Sequence, residues 1–167
     1  MSATVYDSPV GPLRLQARDG SLVGLELNAR PGPENLDDPV LAEAVAQLAA
    51  YFAGERTTFD LPLALHGNAF EQRVWAALQT IPYGETASYG EIAQAIGAPG
   101  AARAVGLANG RNPIAIIVPC HRVIGANGKL VGFGGGLPMK RALLDLEQGI
   151  EGLLAPGDHP GRPASLA

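Results

Sequence analysis

"SYGEIAQAIGAPGAARAVG", residues 88–106, decides the architecture. Ser88 followed three residues later by Glu91 is a capping-box pattern, in which each side chain satisfies an open backbone N–H of the first turn. Tyr89, Ile92, Ala93 and Ile96 then recur at i, i+3, i+4 and i+7, the spacing of one helix face. Gly97 and Pro99 end that helix. A second short helix is expected over 101–109, after the turn "GAPG". Two short helices joined by a tight Gly-containing turn form a helix-turn-helix, although any small helical hairpin shares the pattern. The second helix is the more informative. Ala101, Ala102, Ala104, Gly106 and Ala108 are small, and Arg103 is its only charged residue. Small side chains let a backbone approach another surface closely. That surface is either a neighbouring helix or a groove of nucleic acid into which Arg103 projects.

Upstream, Asn68 and Glu71 repeat the capping-box pattern, with Phe70, Val74, Trp75 and Leu78 on one apolar face and Pro82 as the stop. Nearer the N-terminus, short apolar runs alternate with turn signals, and Asp19-Gly20 between two of them predicts a hairpin. Asp38 and Pro39 open a helix that Val40, Leu41, Ala44, Val45, Leu48, Tyr51 and Phe52 continue and Gly54 closes. "TTFDLPLAL" (57–65) is expected to form another strand. Downstream, the β-branched run Ile114–Val118 predicts a buried strand or extended segment ending at a turn on Pro119. A Gly-rich stretch follows. Pro138 then opens a last helix whose inner face is Met139, Ala142, Leu143 and Leu146, with Glu147 on or beside it. The expected fold class is α+β. A small N-terminal α/β domain with a short antiparallel sheet (1–66) precedes a helical, winged-helix-like C-terminal domain (67–148), and a disordered tail (149–167) closes the chain.

The 167 residues are 47% hydrophobic and 17% charged, enough apolar material for a core. No apolar run approaches the ~18 residues of a membrane span. "MSATVYDSPVGPLRL" has neither a basic n-region nor an apolar h-region, so no secretory signal is expected. A single cysteine makes no internal disulfide, which suits a reducing cytoplasm, and it cannot build a Cys-rich zinc site. The net charge of −4 speaks at first against nucleic acid, but its distribution does not. Residues 1–66 carry 4 basic and 9 acidic groups, whereas 67–148 carry 7 and 5. Between 100 and 141 stand Arg103, Arg111, Arg122, Lys129, Lys140 and Arg141 without one Asp or Glu. Such a stretch predicts an anion-binding face, with an ordinary solvated surface as the plainer alternative.

Cys120 is the only thiol and lies in "IIVPCHRVIG", 116–125. A lone cysteine is most often a small buried hydrophobe. Here His121 and Arg122 follow it, and a nearby cation favours the nucleophilic thiolate. Glu147, on the inner side of the last helix, needs a partner if buried, and His121 suits it.

"PCHRV", the preceding "GRNP", the later "GGGLPMKRALLDLE" and the helix-turn-helix together resemble the O6-alkylguanine-DNA alkyltransferases. The match is strong over about 68–148, and the first 66 residues are compatible with that family's variable N-terminal domain. The resemblance implies that Cys120 is the alkyl acceptor, His121 the base that deprotonates it through an ordered water, and Glu147 the acid that orients His121. It implies that Asn112 shapes the turn before the active-site segment and that Tyr89 assists rotation of the nucleotide and donates to the extruded guanine. It implies that Arg103 fills the gap in the base stack and that Ala102, Gly106, Tyr89 and Arg122 join it in contacting DNA, through the minor groove. The implied partner is double-stranded DNA carrying O6-alkylguanine, or O4-alkylthymine, bound by a monomer without cofactor or metal. Phe133 and Gly134 stand where some relatives have Tyr and Ser, which implies fewer hydrogen bonds to guanine and a wider pocket. The residues also leave open a cysteine hydrolase using Cys120, His121 and Glu147, and a helix-turn-helix regulator or damage sensor without chemistry.

Overall fold

The computed structural model describes residues 1–150, so nearly all of the expected tail, from 151 on, lies outside the described residues. Three antiparallel strands form a meander, β1 (Ser2–Ser8), β2 (Gly11–Arg18) and β3 (Ser21–Glu26). The β2–β3 turn is the expected Asp19-Gly20, both residues at positive φ (50° and 80°), as a two-residue hairpin demands. Leu13, Leu15, Ala17, Leu22 and Leu25 are buried beneath helix α1 (Pro39–Phe52). Asp38 caps α1 by accepting from the Val40 N–H at 2.9 Å.

The expected strand over 57–65 is absent. Leu63 alone bridges to Leu22, with Leu22 N donating to Pro62 O at 2.8 Å and Ala64 N to Leu22 O at 2.9 Å. Pro62 has no N–H to give a ladder, which limits the pairing to this contact. Helix α2 (Ala69–Leu78) carries the Asn68–Glu71 capping box and buries Val74, Trp75 and Leu78. A two-residue strand β4 (Ala87–Ser88) leads into α3 (Tyr89–Ala95), and α4 (Ala102–Gly110) follows a turn held by Gly97 and Gly100 at φ +76° and +92°. Trp75 Nε1 donates to Ala108 O at 2.9 Å, which ties α2 to α4.

The run Ile114–Val118 is buried as expected but is not a strand. Ile116 sits at φ +72°, a left-handed conformation costly for a β-branched residue, and the chain folds back on itself. Ile117 N donates to Ala115 O at 2.8 Å and Val118 N to Ile114 O at 3.0 Å. Ile116 is 1% exposed, so burial of its side chain opposes the strain. Beyond it come a single 3-10 turn (Cys120–Arg122), β5 (Val123–Ile124), parallel to β4, and α5 (Leu137–Glu147). One apolar core runs through the molecule. Leu25 of β3 bridges Ile114, its N–H donating to Pro113 O at 2.9 Å, so the sheet is hydrogen-bonded to the segment that presents Cys120.

Candidate active site

The loop between α4 and Cys120 is shaped from within. Asn112 Oδ1 accepts from Ile114 N at 3.0 Å, and its Nδ2 donates to Val118 O at 2.7 Å. An Asn bracing its own turn this way holds the chain against the strain at Ile116. Asn109, at the end of α4, donates to the main-chain oxygen of Cys120 at 3.2 Å. The thiol is therefore placed by two amides, of which the sequence pointed only to Asn112.

Cys120 is 6% exposed and lies on the wall of a cavity of about 620 Å³. Tyr89 and Gly106 line one side, Phe133 and Gly134 another, and Gly24 and Leu25 of β3 a third. The ring of Tyr89 lies within 3.7 Å of where a Gly106 Cβ would stand, while nothing lies within 4 Å of that point at Gly134. Burial pushes the Cys120 thiol up from its ordinary value, and the Asn112 amide and the Lys140 ammonium pull it partly back. The free protein thus holds a thiol near groups that favour its thiolate.

Behind the thiol, the acid–base partners are densely bonded. His121 has no exposed surface, and its Nε2 lies 2.7 Å from Glu147 Oε2. Arg122 Nε donates to Glu147 Oε1 at 2.7 Å and Nη2 to Oε2 at 3.0 Å, and the Tyr51 hydroxyl donates to Oε2 at 2.6 Å. Burial raises the Glu147 carboxyl, but the hydrogen bonds from His121 and Arg122, and the charges both carry at the acid pH where a carboxyl titrates, outweigh it and hold it at about 2. An ionised carboxylate only accepts, so His121 Nε2 carries the hydrogen. Burial lowers His121 below its ordinary value despite Glu147, leaving the imidazole neutral. Nδ1 is then an unprotonated lone pair, buried and without a hydrogen-bond partner among the described residues. The carboxylate has fixed the tautomer that makes Nδ1 a base.

The structure brings together Cys120, His121, Glu147 and Asn112, with Tyr89 at the cavity edge. It separates Arg122 from the surface. The expected DNA contact by Arg122 does not hold, because its side chain is 8% exposed and its guanidinium is bound to Glu147 and, at 2.7 Å, to Ile81 O. The expected basic face contracts for the same reason. Lys140 is fully buried and donates to Val131 O at 2.9 Å. Arg111 pairs with Glu71 at 3.5 Å and Arg141 with Asp145 at 3.7 Å. Arg103 and Lys129 stay exposed. On α4 the outer side is Arg103, Ala104 and Leu107, with Ala102 and Gly106 half-buried beside it. Tyr51 and Lys140 join the site without a local signal, since each occupies an unremarkable inward helix position.

A helix pair with one smooth, arginine-bearing outer side, set over a cavity with a buried thiol on its wall, defines a helix-turn-helix protein with an internal cysteine pocket. Residues 1–65 match the family described as "6-O-methylguanine DNA methyltransferase, ribonuclease-like domain", and 69–149 match its "DNA binding domain". The chain belongs to the 6-O-methylguanine DNA methyltransferase family. A Mycobacterium tuberculosis protein named methylated-DNA–protein-cysteine methyltransferase is 63% identical over 147 residues, covering 85% of this chain and 89% of its own. A protein of the same name from Methanosarcina acetivorans is 53% identical over 156 residues, covering 88% and 98%. The crystal structure of Mycobacterium tuberculosis OGT in complex with DNA superposes with a TM-score of 0.81 at 59% identity, covering 93% of this chain and 95% of that one.

Proposed function

We propose that the protein repairs DNA by direct reversal, moving the alkyl group of O6-alkylguanine, and by the same chemistry O4-alkylthymine, to Cys120 once per molecule. The observation that carries this is the thiol on the cavity wall, followed directly in the chain by a His121 whose only free ring nitrogen is Nδ1. The alkylated oxygen is hidden in the duplex, so the nucleotide must be turned out into the cavity. Helix α4 approaches the minor groove as a monomer in the cytoplasm, and Arg103 fills the space the base leaves. The Cys120 proton passes to Nδ1 by way of a bridging water, and Glu147 stabilises the imidazolium formed. The thiolate attacks the alkyl carbon, the S–C bond forms as the C–O6 bond breaks, and the departing guanine takes a hydrogen bond from Tyr89. In the free protein the Tyr89 hydroxyl donates to Val131 O at 3.2 Å, so it exchanges that acceptor for the base. The open space at Gly134 admits alkyl groups larger than methyl. The product is a thioether. Cys120 is the sole cysteine in the chain, so no second thiol removes it.

Intact-mass measurement after incubation with excess DNA containing O6-methylguanine decides the matter. One methyl adduct, located on Cys120 and lost in Cys120→Ser, is expected. Repeated turnover would identify a hydrolase, and tight binding without any adduct would identify a sensor.

A further inference from the structure

Tyr51 belongs to α1, far from the thiol in sequence, yet its hydroxyl donates to Glu147 Oε2 at 2.6 Å across a separation of 96 residues. Neither side chain has exposed surface, so water does not compete for this bond. The phenol ring is held by three others. Phe52, Phe59 and Tyr83 have centroids 5.2, 5.4 and 6.3 Å from it, the first and last edge-on. A ring fixed so closely aims its hydroxyl at one point.

The carboxylate it meets is contested. Arg122 holds both oxygens, Nε on Oε1 and Nη2 on Oε2, the forked pairing that guanidinium and carboxylate favour. That pairing alone would centre the carboxylate on the guanidinium. The working contact is instead the one from Oε2 to His121 Nε2 at 2.7 Å. A third donor on Oε2 keeps that oxygen in place and takes part of its charge, which would otherwise fall on the imidazole. The other charged or titratable groups facing this cluster are Arg122 from the 3-10 turn, Lys140 from α5, and Tyr83 after α2, and Lys140 in turn faces Cys120. None of them donates to Oε2 except Arg122.

We infer that Tyr51 is a positioning residue for alkyl transfer: its hydroxyl fixes Glu147 Oε2 against His121 Nε2, so the N-terminal unit governs how His121 takes the Cys120 proton. The inference rests on Cys120 being the alkyl acceptor.

The test is the single-turnover transfer rate of the full chain, followed against pH with O6-methylguanine duplex, alongside DNA affinity and melting temperature. Tyr51→Phe keeps the ring and removes the donor. Its rate on the alkaline plateau should fall about tenfold, the lower end of what partners orienting a working histidine usually contribute. DNA affinity should be unchanged. The acid limb should move to higher pH, because the imidazole then faces more of the carboxylate charge. Site-specific 3-fluorotyrosine at position 51 keeps the hydroxyl and strengthens it as a donor, and should move the limb to lower pH. Leu15→Val, a core substitution in β2 that leaves the three rings around Tyr51 in place, should lower the melting temperature and leave the pH profile unchanged. A wild-type profile in both Tyr51 substitutions, or Leu15→Val reproducing the shift of Tyr51→Phe, overturns the role. If Tyr51→Phe does not fold, the fluorotyrosine protein decides alone, an unmoved limb overturning the inference. A wild-type protein that acquires no adduct on Cys120 removes the proposed function itself. An alkylated wild type with unmoved substitutions removes only the part given to Tyr51.

Discussion

Glu147 shows how one side chain decides what its neighbours can do. Its two oxygens accept four hydrogen bonds from three side chains, and the ionised carboxylate, which has no O–H to place among those donors, suits all four. Glu147→Gln replaces an acceptor by an amide that carries donors. With one acceptor oxygen in place of two, either Arg122 meets an NH2 group, or His121 does and must turn over its tautomer to place a hydrogen on Nδ1, where the base is needed. Transfer should therefore slow by about 10²-fold or more, within the range of general-base effects, measured in single turnover at a temperature where the variant is folded. The same carboxylate links stability to pH. Its folded value of about 2 lies below its unfolded one, so its contribution is full above the ordinary carboxylate range and is lost as pH falls toward 2. His121 is also lowered, so the unfolded chain takes up its proton first and stability declines on acidification below the ordinary histidine value, about 6.5. Both effects run in one direction. Melting temperature should drop in two stages from neutral to acid pH, and Glu147→Gln should lack the lower stage.

Helix α4 has one charged side chain on a surface of small ones, and that contrast sets its test. If Arg103 occupies the gap left by the flipped nucleotide, Arg103→Ala loses stabilisation of the extruded state, about a few kcal/mol. Repair of duplex DNA should then fall sharply while reaction with free O6-benzylguanine is nearly preserved. Equal losses on both substrates would instead give Arg103 a role in the fold or the pocket. The elements were legible where their signals are local. Ser88 with Glu91 and Asn68 with Glu71 form their capping boxes, and Asp38 caps α1, because each pattern spans four residues or fewer. Legibility failed where an apolar run was read as an extended one. Pro62 interrupts the run over 57–65, and a buried left-handed Ile116 folds back the run over 114–118, a conformation that a β-branched residue argues against. Cys120, His121 and Glu147 were readable as a set from their motifs. Tyr51 was not, because only the tertiary fold brings α1 to the end of α5.

Across the molecule, charge counted along the chain differs from charge presented to solvent. Six cations between 100 and 141 suggested a broad basic face. Two are buried in the interior, Arg122 on Glu147 and Lys140 on Val131 O, and two more pair with carboxylates. Arg103 and Lys129 remain, with Arg111 half-committed. A plot of log affinity against log salt should accordingly have a slope of roughly −2 to −3, as for about three released counterions. A slope of about −3.6, as for four phosphates, would mean that Arg111 and Arg141 both leave their carboxylates on binding DNA. The acidic N-terminal unit contributes to the site from the other side, through the strand β3 that lines the cavity and through Tyr51.

Glu147 ends α5, and that position has a consequence for the order in which the protein is made. A ribosome produces the thiol first, then the imidazole beside it, and the carboxylate 26 residues after the histidine. Until α5 has emerged and docked, His121 has no fixed tautomer, Arg122 has no counter-ion, and Tyr51 has nothing to hold. With Cys120 as the alkyl acceptor proposed above, a growing chain passes through synthesis with its thiol unarmed. Its reaction becomes available when Glu147, at the end of the last described helix, meets Tyr51 near the end of the first.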